Sequence, residues 1–203
     1  MKIVLASKSP RRKDILKRMG YTPVIRVSNC DESKVREKDP KELVKKLSRL
    51  KAEDIAQSCK PGELVLGSDT VVALDEKILG KPKTPRDAVR MIRSIAGRSH
   101  VVYTGVTLIL KGDPDAGDKA GKRDVIKTFY DSVPVTVNPM SDEEIREYVA
   151  TGEPMDKAGG YGIQGPFCKF VKKINGDFYT VEGLPSARTY QEIRKILQKG
   201  KDA

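Results

Sequence analysis

Four short stretches of this sequence concentrate the residue types that chemistry needs. Ser7-Lys8-Ser9-Pro10-Arg11-Arg12 follows an apolar run and opens with a Ser-Pro pair that starts helices. A helix N-terminus presents unpaired backbone N–H groups and the positive end of the helix dipole, and arginines add planar donors suited to phosphate oxygens. The same residues also read as a plain surface turn with Pro10 starting the helix. Leu66-Gly67-Ser68-Asp69-Thr70-Val71-Val72 places one acid among small and apolar residues. Such a carboxylate is expensive to bury unless it is paired or metal-bound, so Asp69 is the candidate general base or metal ligand. The alternative is a strand-end Asp bonded to backbone. Gly80-Lys81-Pro82 fixes a lysine that could reach a phosphate as a point charge, or is an ordinary loop. Asp156-Lys157-Ala158-Gly159-Gly160-Tyr161-Gly162-Ile163-Gln164-Gly165 holds four glycines within seven residues. They let backbone approach a ligand, and Gln164 can donate to and accept from a base edge, or the stretch is a flexible connection.

Composition narrows the classes. The chain has 203 residues, 38% of them hydrophobic and 33% charged, which suits one domain or two small lobes around a cleft and argues against disorder. No apolar run is long enough to cross a membrane and no secretory leader opens the sequence, so a cytoplasmic protein is expected. The net charge is +11, and residues 1–60 hold 17 basic and 8 acidic residues, so most of the excess lies there. A polyanion partner or a solvated lysine-rich helix face accounts equally for that excess. Aromatic residues are 5%, without Trp, and are not interleaved with the basic ones as a nucleic-acid stacking platform requires. Three cysteines (Cys30, Cys59, Cys168) and one histidine (His100) give no zinc or disulfide pattern; they fit a reducing compartment and leave any metal to carboxylates.

The elements that must position these residues alternate. Lys2–Ala6 and Pro23–Val27 read as strands flanking a helix that Gly20 stops. Asp39-Pro40-Lys41-Glu42 caps a helix whose stripe is Leu43, Val44, Leu47, Leu50 and Ile55, with Lys45, Lys46, Arg49 and Lys51 on its other face. Glu63–Leu74 is a strand that Asp75-Glu76 can fold back as a short hairpin. Thr84-Pro85 and Ser141-Asp142-Glu143-Glu144 start helices, and Val101–Leu110 and Val125–Val137 are long strands about a polar loop at 111–124. Phe167–Ile174, Asn175-Gly176 and Asp177–Val181 predict a hairpin, because Asn-Gly suits a type I′ turn. A final helix over Ser186–Leu197 turns Tyr190, Ile193 and Leu197 inward. The order predicts a mixed α/β chain with a long central sheet.

The ordered motifs SxSPRR, GSDTVV, GKP and DKAGGYGIQG, followed by Val171–Gly176 and Gly183-Leu184-Pro185, closely resemble the Maf-like nucleotide pyrophosphatases through essentially the whole chain. The resemblance implies a single domain over residues 1–203, with a long twisted sheet and two lobes around a cleft, similar to inosine triphosphate pyrophosphatase and commonly a homodimer. It implies hydrolysis of a nucleoside triphosphate to a monophosphate and pyrophosphate with Mg²⁺ or Mn²⁺. By position, Asp69 matches the proton acceptor for water, and Ser7, Arg11, Arg12 and Lys81 match the phosphate-binding set. Glu32 and Lys51 match a cleft carboxylate and lysine, with Glu32 and Asp69 as metal ligands, and Lys157 joins from the last motif. Arg12, Thr70 and Gln164 match the marks of the dTTP/UTP subfamily, and modified pyrimidine triphosphates also suit such a site. The longer 111–124 loop departs from the family pattern. The alternative of another class is a non-catalytic nucleotide- or nucleic-acid-binding regulator of septum formation, a role to which family members have been linked.

Overall fold

The computed structural model describes residues 1–115 and 123–202. The described residues form one seven-stranded sheet in the order β2-β1-β3-β5-β6-β7, with β4 paired to the end of β3. The strands are β1 (Lys2–Leu5), β2 (Thr22–Ile25), β3 (Leu64–Leu74), β4 (Lys77–Leu79), β5 (Ser99–Leu110), β6 (Val125–Val137) and β7 (Val171–Ile174). β1 pairs in parallel with β2 and with β3, and every other pairing is antiparallel. The expected mixed α/β architecture with a long central sheet is therefore observed.

Helices α1 (Pro10–Arg18), α2 (Pro40–Ala56), α3 (Pro85–Ile95), α4 (Asp142–Ala150), α5 (Phe178–Glu182) and α6 (Ser186–Asp202) flank the sheet. The capping chemistry read from the sequence is realised. Ser9 accepts from the Arg12 N–H, and Thr84 with Asp87 and Ser141 with Glu144 form reciprocal capping boxes. Alternation along the strands sorts the core onto two faces. Ile3, Leu5, Leu64, Leu66 and Leu108 meet α1 and α6, whereas Val4, Val65 and Ile109 meet Ala52, Ile55 and Ala56 of α2. A third cluster gathers Val72, Val102 and Val133 under α3, α4 and the aromatic group Tyr148, Tyr161 and Phe167.

Two glycines let α2 lie directly on the sheet. A Cβ at Gly67 would stand 2.2 Å from the Ser48 carbonyl oxygen, and one at Gly105 would stand 2.2 Å from that of Val44. Gly105 is the register partner of Asp69 across β3 and β5, so this close seat lies beside the candidate base.

Three expectations are corrected. Residues 177–181 are not a strand: Asp177 caps α5, accepting from the Tyr179 N–H at 2.9 Å, and β7 pairs with β6 instead. Tyr190 is 46% exposed on α6, whose buried apolar positions are Ile193 and Ile196. Lys51 leaves the solvated face of α2 on which periodicity puts it and turns inward to the cleft, where the resemblance places it, with its side chain only 13% exposed. The turn at Asp75-Glu76 does form, with both residues at positive φ, and returns the chain into β4. The expected loop at 111–124 falls largely on residues 116–122, outside the described residues; at its base, Asp124 accepts from the Gly112 N–H and pairs with Lys111.

Candidate active site

A cleft of about 890 Å³ opens beside the middle of β3. Ser7, Arg11, Arg12, Glu32, Lys51, Asp69, Thr70, Lys81 and Lys157 all line it. The structure thus brings together nine of the ten residues singled out from the sequence. Gln164, the tenth, is exposed on the glycine-rich segment and is not part of this lining.

β3 supplies both sides of the floor, because successive residues of a strand point to opposite faces. Asp69 is 9% exposed and turns toward α2, where its Oδ1 accepts from Lys51 Nζ at 2.6 Å. The same ammonium lies 3.2 Å from Oε1 of Glu32, which heads a short turn over residues 32–34. Burying a carboxylate requires a partner, and Lys51 is that partner for Asp69.

Ser68 and Thr70 face the other way, toward Arg12 and the end of α5. Arg12 is half-buried at the head of α1 and spends its guanidinium on three groups. Nε donates to the Gly183 carbonyl at 2.9 Å, Nη1 to Ser7 Oγ at 3.2 Å and Nη2 to Thr70 Oγ1 at 3.1 Å. Ser68 Oγ also donates to the Gly183 carbonyl, at 3.0 Å. Thr70 continues the chain to Thr104, 2.9 Å away, and Thr104 donates to the Thr180 carbonyl at 2.8 Å. Burial lowers the Arg12 pKa from its ordinary value while Asp69 opposes that shift, and an arginine still keeps its charge. Arg12 and Thr70, two of the three subfamily marks, are therefore in direct contact.

Around the rim, Arg11 Nε donates to the Glu182 carbonyl at 3.3 Å, Lys81 is exposed after β4, and Lys157 pairs with Asp156. Ser7 Oγ accepts from the Ser9 N–H at 3.2 Å, which shapes the turn that presents these donors. An excess of basic side chains around a buried carboxylate held by Lys51 is an arrangement for holding a polyphosphate next to a proton acceptor.

Sequence reasoning missed two participants. Glu182 is 3% exposed, lines the cleft and carries a carboxyl pKa raised by burial; among the described residues its Oε2 has no hydrogen-bond partner. Its signal was an acid inside the otherwise apolar run before Gly183-Leu184-Pro185. Tyr161 also lines the cleft, and its hydroxyl lies 2.7 Å from His100 Nε2, so the single histidine supports the wall and pairs with no cysteine.

The carboxylates suit a hard divalent cation of the kind that takes one or two protein oxygens and completes its shell with water and phosphate. Asp69 and Glu32 already converge on one positive charge, and both offer oxygen donors. Among the described residues, no group of three or more His, Cys, Asp or Glu is disposed as a larger metal cage.

Residues 2–196 match the family described as Maf-like protein. The chain is 45% identical over 194 residues to a dTTP/UTP pyrophosphatase of Lachnoclostridium phytofermentans, covering 96% of this chain and 94% of that one. A dTTP/UTP pyrophosphatase of Carboxydothermus hydrogenoformans is 44% identical over 195 residues, covering 96% and 98%. Similarity to a solved structure titled nucleoside-triphosphatase / dITP/XTP pyrophosphatase, from Mycobacterium abscessus, is weaker: TM-score 0.40 and 16% identity, over 69% of this chain and 76% of that chain.

Proposed function

The chain belongs to the Maf-like protein family, and from that premise and the geometry of the cleft we propose that it is a pyrophosphatase hydrolysing dTTP and UTP to the monophosphate and pyrophosphate. The observation that carries this reading is the pairing of buried Asp69 with Lys51 at the floor of a cleft rimmed by Arg11, Arg12, Lys81 and Lys157.

The mechanism rests on those charges. A triphosphate repels an incoming oxygen nucleophile until its own charge is neutralised, and positioned cations do this without rearranging during the reaction. Arg11, Lys81 and Lys157 can turn their donors to phosphate oxygens from α1 and two loops. Arg12, held by Gly183, Ser7 and Thr70, contributes a fixed positive charge beside them. Asp69 takes the proton as the water oxygen bonds to phosphorus and the bridging oxygen of the α–β anhydride leaves with pyrophosphate. A divalent cation, which Asp69 and Glu32 would hold, supplies further charge neutralisation when bound.

Arg12 and Thr70 support the pyrimidine preference because they share one hydrogen-bonded wall; Gln164 is assigned to the same role by its place in the motif. We extend the proposal to two lobes around the cleft and a homodimer in the cytoplasm. Val24 and Ile25, exposed on edge strand β2, suit a contact between copies, and three free cysteines suit a reducing compartment. No helix among the described residues is long and apolar enough to cross a membrane.

The test is product analysis with each nucleoside triphosphate and Mg²⁺ or Mn²⁺. Pyrophosphate from UTP and dTTP is expected, and Asp69→Asn should lose on the order of 10²-fold or more in kcat. Orthophosphate as the product, or an Asn variant with near-normal turnover, contradicts the reading.

A further inference from the structure

Lys51 sits where the two carboxylates of the cleft converge. Its Nζ is within 2.6 Å of Asp69 Oδ1 and 3.2 Å of Glu32 Oε1, and its side chain is largely buried. The backbone beneath it is fixed, because α2 lies against β3 and β5 at Gly67 and Gly105, where no Cβ would fit. The side chain is not fixed in the same way: a lysine carries a point charge on a flexible four-carbon stem and can re-aim its donors without moving its helix. Its two partners differ in the same sense. Asp69 belongs to a central strand and is almost buried, whereas the Glu32 side chain is 51% exposed on a three-residue turn.

The two oxygens that Lys51 engages are also the pair that fits a hard cation. A divalent ion binding to both would stand within a few ångströms of the ammonium, and like charges at that separation in a cleft of low dielectric repel strongly. One cation excludes the other. The triphosphate changes the balance, since its phosphate oxygens offer the ammonium a second place to go.

Resting on the pyrophosphatase reading above, we propose that Lys51 is an internal counter-ion that competes with the divalent cation for Asp69 and Glu32, and passes to the triphosphate when nucleotide and cation enter together. Two consequences distinguish this from a fixed phosphate-binding lysine. The nucleotide-free protein binds a divalent cation weakly, and nucleotide and cation tighten each other's binding through this one side chain.

The experiment measures Mn²⁺ binding to the nucleotide-free protein by the electron paramagnetic resonance signal of free Mn²⁺. Wild type is compared with Lys51→Met, Lys51→Gln and the double variant Lys51→Met/Glu32→Gln, each shown to be folded by circular dichroism. Removing the ammonium should tighten Mn²⁺ binding on the order of tenfold. The gain should vanish in the double variant. A UTP analogue with a methylene in the α–β bridge should tighten Mn²⁺ binding by wild type more than by either single variant. Lys51→Gln keeps a donor for Asp69 without the charge, and gives the reading if the Met variant does not fold. Equal Mn²⁺ affinity in wild type and the single variants overturns the proposal, as does a gain that survives loss of Glu32. Pyrophosphate release from UTP by wild type is scored separately. Its absence sinks the pyrophosphatase reading, whereas release combined with unchanged Mn²⁺ affinity sinks only the counter-ion role.

Discussion

His100 shows how a residue remote from the chemistry bears on the behaviour of the protein. It is 2% exposed, with Nε2 against the Tyr161 hydroxyl, and burial pushes its pKa down to about 4. The unfolded chain takes up a proton near the ordinary histidine value of about 6.5 while the folded chain does not. The stability this side chain contributes is thus complete above about pH 6.5 and is lost progressively as pH falls toward 4. The loss amounts to roughly 3 kcal/mol at most. Melting temperatures recorded from pH 7.5 to 4.5 should fall more steeply for wild type than for His100→Gln; parallel curves would contradict the assignment. At this scale the sequence was most informative where local chemistry singles out a residue. Asp69 stands out because an acid among Gly, Ser and Val needs a partner. The identity of that partner was not legible, since Lys51 is 18 positions away and reads by periodicity as part of a solvated basic face. Glu182 was missed for a related reason: only the packing of α5 against α1 and the cleft makes it a buried acid.

Among elements, α2 is the one whose placement the site depends on. It carries Lys51, and its distance from the sheet is set where Gly67 and Gly105 admit backbone in place of side chain. Gly105→Ala drives a methyl into the Val44 carbonyl and should lift the helix. The expected cost is about 1–3 kcal/mol in denaturant unfolding, together with a fall in kcat as Lys51 is carried away from the cleft. An Ala variant of unchanged stability would show that the helix rides higher than described. Most helices were legible because caps are local: Ser9, Thr84 and Ser141 each bond within the next turn. The predicted hairpin at 167–181 failed because an Asn-Gly turn specifies a reversal but not the conformation of the residues after it. Asp177 caps a helix instead of opening a strand, and β7 finds its partner in β6, far back in the chain. Phe178-Tyr179-Thr180-Val181 is rich in aromatic and β-branched residues and fits a strand locally, and tertiary packing overrode it.

For the whole molecule, the charge read from composition resolves into two populations. Lys45, Lys46 and Arg49 pair with Glu42, Glu37 and Glu53 on the outer surface of α2, where ion pairs contribute little. The cleft keeps its own excess, with six basic side chains against four acidic ones in its lining. A net-positive cleft in a chain of charge +11 should draw in a triphosphate at long range. The expected result is a severalfold fall in kcat/KM for UTP as ionic strength rises from about 20 to about 200 mM, with kcat nearly constant. A flat profile would assign the excess charge to surface alone.

The guanidinium of Arg12 reaches the Gly183 carbonyl across 171 residues of chain. That contact is short in space and late in time. At typical rates of synthesis, roughly 10 to 30 s separate the making of its two ends. During that interval, Ser7, Arg12 and Thr70 exist without the segment that holds them in register, and Ser68 lacks its acceptor as well. A ribosome-bound chain that has completed its first five strands still lacks the Gly183 carbonyl that Arg12 and Ser68 engage, and it should bind nucleotides only once that segment docks. Incomplete chains released early would neither hydrolyse the nucleotide pool nor sequester it.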